Sequence, residues 1–165
     1  MTASPRLALP FLSAGQAQKE FYHNEALQTL DIIVAAAVED GPIDTPPASP
    51  VVGGCYLISS TPTDSWVGNP LALAGFSSGG WRYVAPIEGM AAYVKSQDLW
   101  ACFRAGAWEL GLLRGSSVVI GDQQVVGGRA AAIPSATGGT VVDNEARATI
   151  ELILGALRQH GLIES

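Results

Sequence analysis

Charged side chains make up only 15% of the 165 residues, against 48% hydrophobic, where an ordinary soluble domain carries roughly 25% charged residues. So little charge leaves an isolated chain prone to association, and the composition points to a surface covered by other chains. The net charge is −6, and the lysines are Lys19 and Lys95 with seven scattered arginines. No basic stripe is available to neutralise phosphates, which argues against a nucleic-acid partner. The longest apolar run, Ile32 to Val38, is far short of the ~20 residues that span a bilayer, so membrane insertion is not expected. Pro5 and Pro10 interrupt the short apolar patch near the start, which does not suit a cleaved signal.

Cysteine and histidine are equally sparse. Cys55 and Cys102 cannot build a disulfide framework and read as buried thiols in apolar runs. His23 and His160 stand apart from other metal-ligating residues. With no phosphate-binding or dinucleotide glycine pattern either, no metal and no cofactor is expected.

What is present falls into three segments. Residues 1–43 hold a proline-punctuated arm and then a helix, with Asn24 as its expected N-cap and apolar spacings of three and four running to Val38. Gly41-Pro42 would stop that helix, and "DTPPASP" is a stiff connector. Residues 44–114 alternate short apolar runs ("CYLIS", "LALAGF", "WRYVA", "MAAYV", "LWACF", "AWELGL") with turn sequences rich in glycine, serine and aspartate. Residues 115–165 hold a ribbon turning at Gly121-Asp122 and a final helix with Asp143 as N-cap and Gly161 as its stop. The expected class is α+β, mainly β: a small antiparallel meander or sandwich-like sheet domain between an N-terminal helix and a C-terminal oligomerisation helix.

One pattern occurs twice, "FSSGGW" at 76–81 and "FRAGAW" at 103–108. Phe-x-x-Gly-x-Trp suits a tight hairpin: a glycine turn, with Phe and Trp meeting across the strands for roughly 0.2–1 kcal/mol. Gly75-Phe76-Ser77-Ser78-Gly79 also matches the serine-hydrolase pattern G-x-S-x-G, but a strand follows it where that chemistry needs a helix. Glu88 and Asp98 are turn carboxylates with nothing to mark a cleft around them. No catalytic residue is therefore assigned and an enzyme is not expected, hydrolysis of esters or glycosides being the remote alternative. The aromatic side chains offer a binding surface instead. Trp66, Trp81, Tyr83, Trp100 and Trp108 are candidate glycan contacts, because an aromatic face stacks on a sugar ring as readily as it packs a core. Trp66, on the polar stretch "TPTDSWVGNP", is the one most expected to be exposed.

The last helix carries Ala146, Ile150, Ile153 and Leu157 at spacings of four, three and four. Isoleucine at both seam positions leans toward trimers or larger assemblies, so these four residues are the expected contact between copies. In the arm, Leu7, Leu9, Phe11 and Leu12 form an extended apolar segment that so small a core cannot cover.

The segments "LPFLSAGQAQKEFYHNEALQTLD", "PPASPVVGGCYLI", "GGWRYVAPIEGM" and "DLWACFRAGAWEL" resemble a domain family of bacterial prophages and gene transfer agents, whose members are head-spike, tail-fibre or other particle structural proteins. The likeness covers residues 7–113, and the tail from Val118 is similar to the ends of fibre proteins from the same gene clusters. The resemblance implies a component of a virion or phage-like particle, assembled in the bacterial cytoplasm. It would be docked through its arm on other capsid, spike or fibre proteins and would support contact with host surface polysaccharide. The seam suggests three copies, whereas attachment at an icosahedral vertex would favour five. The alternative reading is a stand-alone carbohydrate-binding module.

Overall fold

In a computed structural model, which describes residues 3–12 and 19–164, the chain divides into two compact units, Met1–Leu112 and Leu113–Ser165. The first contains α1 (Lys19–Ile33), β1 (Ala37–Val38), β2 (Asp40–Ile43), β3 (Cys55–Ile58), β4 (Leu73–Ser77), β5 (Gly80–Val84), β6 (Ala91–Val94), β7 (Leu99–Arg104) and β8 (Ala107–Leu110). The second contains β9 (Val118–Ile120), β10 (Gln123–Val126) and α2 (Asn144–Gln159). The protein is thus mainly β, with one helix toward each end. No helix among the described residues is long and apolar enough to cross a membrane.

Each expected β-run of the middle segment forms a strand. The first unit has two four-stranded sheets, in the orders β2-β3-β4-β5 and β1-β6-β7-β8. Three strands of each form an antiparallel meander, and β2 and β1 join β3 and β6 in parallel. Those two short strands correct the reading of the helix, which ends at Ile33 instead of continuing to Val38. A run of apolar residues with short spacings fits a helix or a buried strand equally well. What decides it is tertiary: Tyr93 and Lys95 donate to the carbonyls of Ala36 and Val38, and Glu39 donates to Cys55. Residues 37–43 therefore belong to both sheets, and the first 43 residues do not stand apart from the sheet domain.

The two Phe-x-x-Gly-x-Trp copies are the tips of β4–β5 and β7–β8. Phe76 lies opposite Trp81 and Phe103 opposite Trp108, with ring centroids 4.9 and 5.3 Å apart. In the second copy Ala105 and Gly106 both have positive φ, 49° and 82°, the backbone of a type I′ turn. In the first copy the positive φ falls on Gly80, one residue beyond the glycine expected to supply it. The likeness reaches further back along the chain. Gly53 donates to the Phe76 carbonyl and Phe76 to Gly54 at 2.7 and 2.9 Å, while Gly89 donates to Phe103 and Phe103 to Met90 at 2.9 and 2.8 Å. Ahead of these, Gly54 bonds the Val51 carbonyl and Met90 that of Ile87. Pro50-Val51-Val52-Gly53 and Pro86-Ile87-Glu88-Gly89 are therefore equivalent entries into two equivalent meanders.

The sheets share a core. Cys55, Leu57 and Leu73 of the first sheet meet Ala92, Val94, Ala101 and Trp108 of the second, with Ile32, Ala36 and Val38 beside them. Burial raises the Cys55 thiol to about 11, as a small apolar residue would show and a reactive one would not. The opposite face of the first sheet is closed by a separate cluster of Tyr56, Ile58, Trp66, Ala72 and Ala74.

The second unit has the expected ribbon and helix. Gly121 and Asp122 both have positive φ at its turn. Asp143 accepts from the Ala146 amide at 2.8 Å, and Gly161, with φ 69°, sets up a full C-terminal cap. Leu162 donates to Leu157 and Gly161 to Arg158, each at 2.9 Å, the paired bonds of a Schellman motif.

Replacing Ala105 by glycine should raise the denaturation free energy of the first unit, because alanine at that φ costs roughly 1 kcal/mol relative to glycine. Urea unfolding monitored by tryptophan fluorescence measures it, and unchanged or lower stability would contradict the turn assignment.

Candidate functional site

The glycan-contact residues are split by the fold into buried and exposed groups. Trp66, expected outside, is fully buried at 0% exposure. The polar stretch around it folds as a short turn, Asp64–Trp66, that drives the indole onto the open face of the first sheet. There it lies 5.2 Å from Trp81 and 6.0 Å from Tyr56, with Trp81 and Tyr56 5.8 Å apart. Tyr83 donates its hydroxyl to the Ser65 carbonyl at 2.6 Å and so ties that turn to β5. Burial raises the Tyr83 hydroxyl pKa. Trp108 is also interior, with its indole N–H donating to the Leu71 carbonyl at 2.8 Å. Trp81 and Tyr83 are half-buried. Trp66 and Trp108 are thus core residues, with Trp81 and Tyr83 packed at the edge of the Trp66 cluster.

Trp100 is different, with 58% of its surface exposed. It stands on the outer face of the second sheet opposite Tyr93, with ring centroids 5.7 Å apart. The Tyr93 hydroxyl donates to Asp98 in the β6–β7 turn, which raises its pKa. Ala91 and Cys102 are paired on the same face, and Glu109 lies beside Cys102. The result is a shallow platform: one exposed indole, a phenol fixed by a carboxylate, and small neighbours that leave the ring accessible. Such a surface can stack on a flat apolar group or the face of a sugar.

The arm does not behave as an unsupported apolar segment. Residues 3–10 turn back on themselves, with Ser4 donating to the Leu9 carbonyl, around the buried carboxylate of Asp31. That carboxylate accepts from the Ser4 hydroxyl at 2.7 Å and from the Arg6 and Leu7 amides at 2.9 and 2.5 Å. The Arg6 guanidinium donates to the carbonyls of Asp31, Ile32 and Ala35 and thereby caps the end of α1, where a cation is favoured. Asn24 is not the N-cap. It lies inside α1 and exchanges two hydrogen bonds with the backbone of Leu12. Leu9, Phe11 and Leu12 are half-buried, which differs from the expectation that the core cannot cover them; Leu7 stays exposed. The arm expected to dock runs roughly from Pro5 to Gln18, and its residues 13–18 lie outside the described residues. Phe21 and Tyr22 of α1, both exposed and 5.5 Å apart, were not singled out in the sequence, where they sit within an ordinary helical stretch.

In the second unit the seam residues Ala146, Ile150 and Ile153 are exposed and Leu157 is half-buried. The neighbouring stripe of α2 is occupied. Arg147 donates to the carbonyls of Ala136 and Gly138, Glu151 accepts from Ser135, and Arg158 donates to Ile133. The extended segment 133–138 is thus tied along the stripe of α2 that includes the buried Leu154, while Ala146, Ile150 and Ile153 stay exposed.

Ser77 is buried at the β4–β5 tip. It donates to the Gly80 carbonyl and accepts from the Gly79 amide and the Arg82 guanidinium, so its hydrogen bonds serve the hairpin. Glu88 accepts from the Ala105 amide at 3.0 Å, and Asp98 from Tyr93. Among the described residues no group of three or more histidine, cysteine, aspartate or glutamate side chains could hold a metal ion.

The family described as "Protein of unknown function (DUF2793)" matches residues 23–109, more than half of the chain, and the chain belongs to it. The match runs from α1 through β8. No curated protein matches the chain.

Trp66→Ala should cost about 3–5 kcal/mol, as removal of a buried aromatic side chain does, whereas Trp100→Ala should change stability by less than about 1 kcal/mol. Thermal and urea unfolding of both variants test this, and equal losses would contradict the division into core and surface. Asp31→Ala strips three donors of their acceptor and should cost on the order of 2–4 kcal/mol. It should also expose Arg6 to trypsin, read as faster cleavage at that residue; wild-type cleavage would show that the carboxylate does not hold the arm.

Proposed function

We propose that this member of the family is a structural, homo-oligomeric subunit of a phage-like particle, a head-spike or tail-fibre component that supports attachment to host surface polysaccharide. One observation supports it above the others: in the second unit the described hydrophobic side chains that are buried are Leu154 and Ile163, while Ile150, Leu152 and Ile153 lie exposed along α2. A unit with so small a core gains stability by packing against its own copies, and a seam with isoleucine at both positions favours three of them.

The two ends of the chain then have separate tasks. The exposed apolar residues of the arm and α1, Leu7, Phe21, Tyr22 and Leu30, form the surface that docks on the particle. Asp31 and Arg6 hold the arm in place, so this surface is preformed. The Trp100–Tyr93 platform is the glycan contact. The particle assignment itself rests on the resemblance of the arm and strand segments to prophage and gene-transfer-agent proteins.

Ile150→Asp places a charge in the seam and should abolish incorporation into particles, measured by immunoblot of purified particles from producing cells, with the first unit still folded. Incorporation at the wild-type level would contradict the proposal. Trp100→Ala should weaken binding to host polysaccharide at least tenfold in a glycan pull-down and leave incorporation intact. Undiminished binding would remove the platform from the account, and strong binding by single dilute chains would favour a stand-alone module.

A further inference from the structure

Among the described residues, nothing covers the β9–β10 ribbon as the sheets of the first unit are covered, and both its strands are exposed along their length. Its strands pair Ile120 with Gln123, Val119 with Gln124 and Val118 with Val126, with a bulge at Val125. Residues opposite each other share a face, so Val118, Ile120 and Val126, with Gln123 opposite Ile120, line one side. All three are exposed. Beside the ribbon an open groove of about 310 Å³ is lined by Leu113, Val118 and Val126 together with Arg114, Ser116 and Ser117.

Each ribbon strand has one neighbour, which leaves an open edge on either side. The edges carry none of the usual protection. Across residues 115–128 the one ionisable side chain is Asp122, at the turn, and no proline or lysine interrupts the strands. Edge strands β2, β5 and β8 of the first unit instead carry Asp40 and Pro42, Arg82 and Glu109. A lone two-stranded hairpin is marginal in water at best. A ribbon with an apolar face and bare edges is therefore an incomplete sheet.

We infer that the ribbon is an intermolecular element: ribbons of sister copies pair edge to edge and turn the Val118, Ile120 and Val126 face toward the assembly axis. This rests on the self-assembly reading and extends it from the helix seam to a second contact. A sister copy is the fitting occupant for two reasons. Identical surfaces that lack charge can meet without repulsion, and the seam of α2 in the same unit already brings copies together.

The test places a single cysteine at the inward face, Ile120→Cys in a Cys102→Ser background, with Cys55 left buried. Mild oxidation of the purified full chain should convert most of it to disulfide-linked dimers on a non-reducing gel, because the inward residues of neighbouring copies lie close together. Cysteine on the other face, Val119→Cys, should crosslink at least fivefold less. Ile120→Asp should shift the concentration for half-dissociation at least tenfold upward by light scattering. If the parent chain is oligomeric, Ile150→Asp dissociates it, and Ile120→Cys fails to crosslink, the ribbon inference is overturned while the self-assembly reading stands. If the parent chain is a single copy at all concentrations, the self-assembly reading fails and the ribbon inference with it. Equal crosslinking from both faces would overturn the inward orientation.

Discussion

The sheet β2-β3-β4-β5 must be covered on both faces, because all four residues of β3 are buried. The first unit is built from the two ways in which this is done. On one face lie α1 and the second sheet. Gly75 of β4 faces Ile32 so closely that a Cβ there would stand 2.6 Å from it, and Arg82 of β5 pairs with Glu25 of α1 at 2.7 Å. On the other face lies the connection from Ser59 to Ala72, pressed down by Trp66. Once that sheet is closed, the outer face of the second sheet is the one that remains open, which is why Trp100 is the exposed tryptophan. The equivalent meanders make the asymmetry plain. The Phe76–Trp81 pair faces the Trp66 cluster, the Phe103–Trp108 pair faces the shared core, and the face of the second sheet that corresponds to the first sheet's core side has no covering layer among the described residues.

The second unit is organised by the opposite circumstance. Local determinants are strong: a type I′ turn, an aspartate N-cap, a Schellman stop, and an extended segment tied to α2 by Arg147 and Arg158. They define secondary structure but bury little. Local hydrogen bonds contribute roughly 0.5–1.5 kcal/mol each, somewhat more where a charged group takes part, and hydrophobic burial is the larger driving force in most folds. A segment with good caps and an exposed apolar seam is suited to completion by other chains, in keeping with the low charge of the whole sequence. On this account the first unit is a self-sufficient body and the second an assembly device.

Much of this was legible from residue order alone, and the gaps have physical causes. Glycine and polar turns mark the six strands from β3 to β8 because each turn needs a particular backbone conformation, and the chain supplies it at Gly89 and Gly106. The caps at Asp143 and Gly161 are equally local. β1 and β2 were not legible, since Ala37-Val38 and Asp40–Ile43 become strands only when β6 and β3 offer them partners. Trp66 was misjudged because its neighbours are polar, while its burial is fixed by Tyr56, Trp81 and Tyr83, which lie up to 17 residues away in sequence. The docked arm was missed for a related reason: Asp31 reads as a polar position in a helix until Ser4, Arg6 and Leu7 wrap around it. Local chemistry was readable, and contacts between distant segments were not.

The central claim is that the first unit closes on itself whereas the second is held by its copies. Amide hydrogen exchange of the intact protein, followed by mass spectrometry across a wide dilution series, tests it most directly. The account predicts that protection of residues 118–126 and 144–159 falls as the protein is diluted, while protection of 55–110 stays constant. Protection in the second unit that is strong and independent of concentration would contradict it.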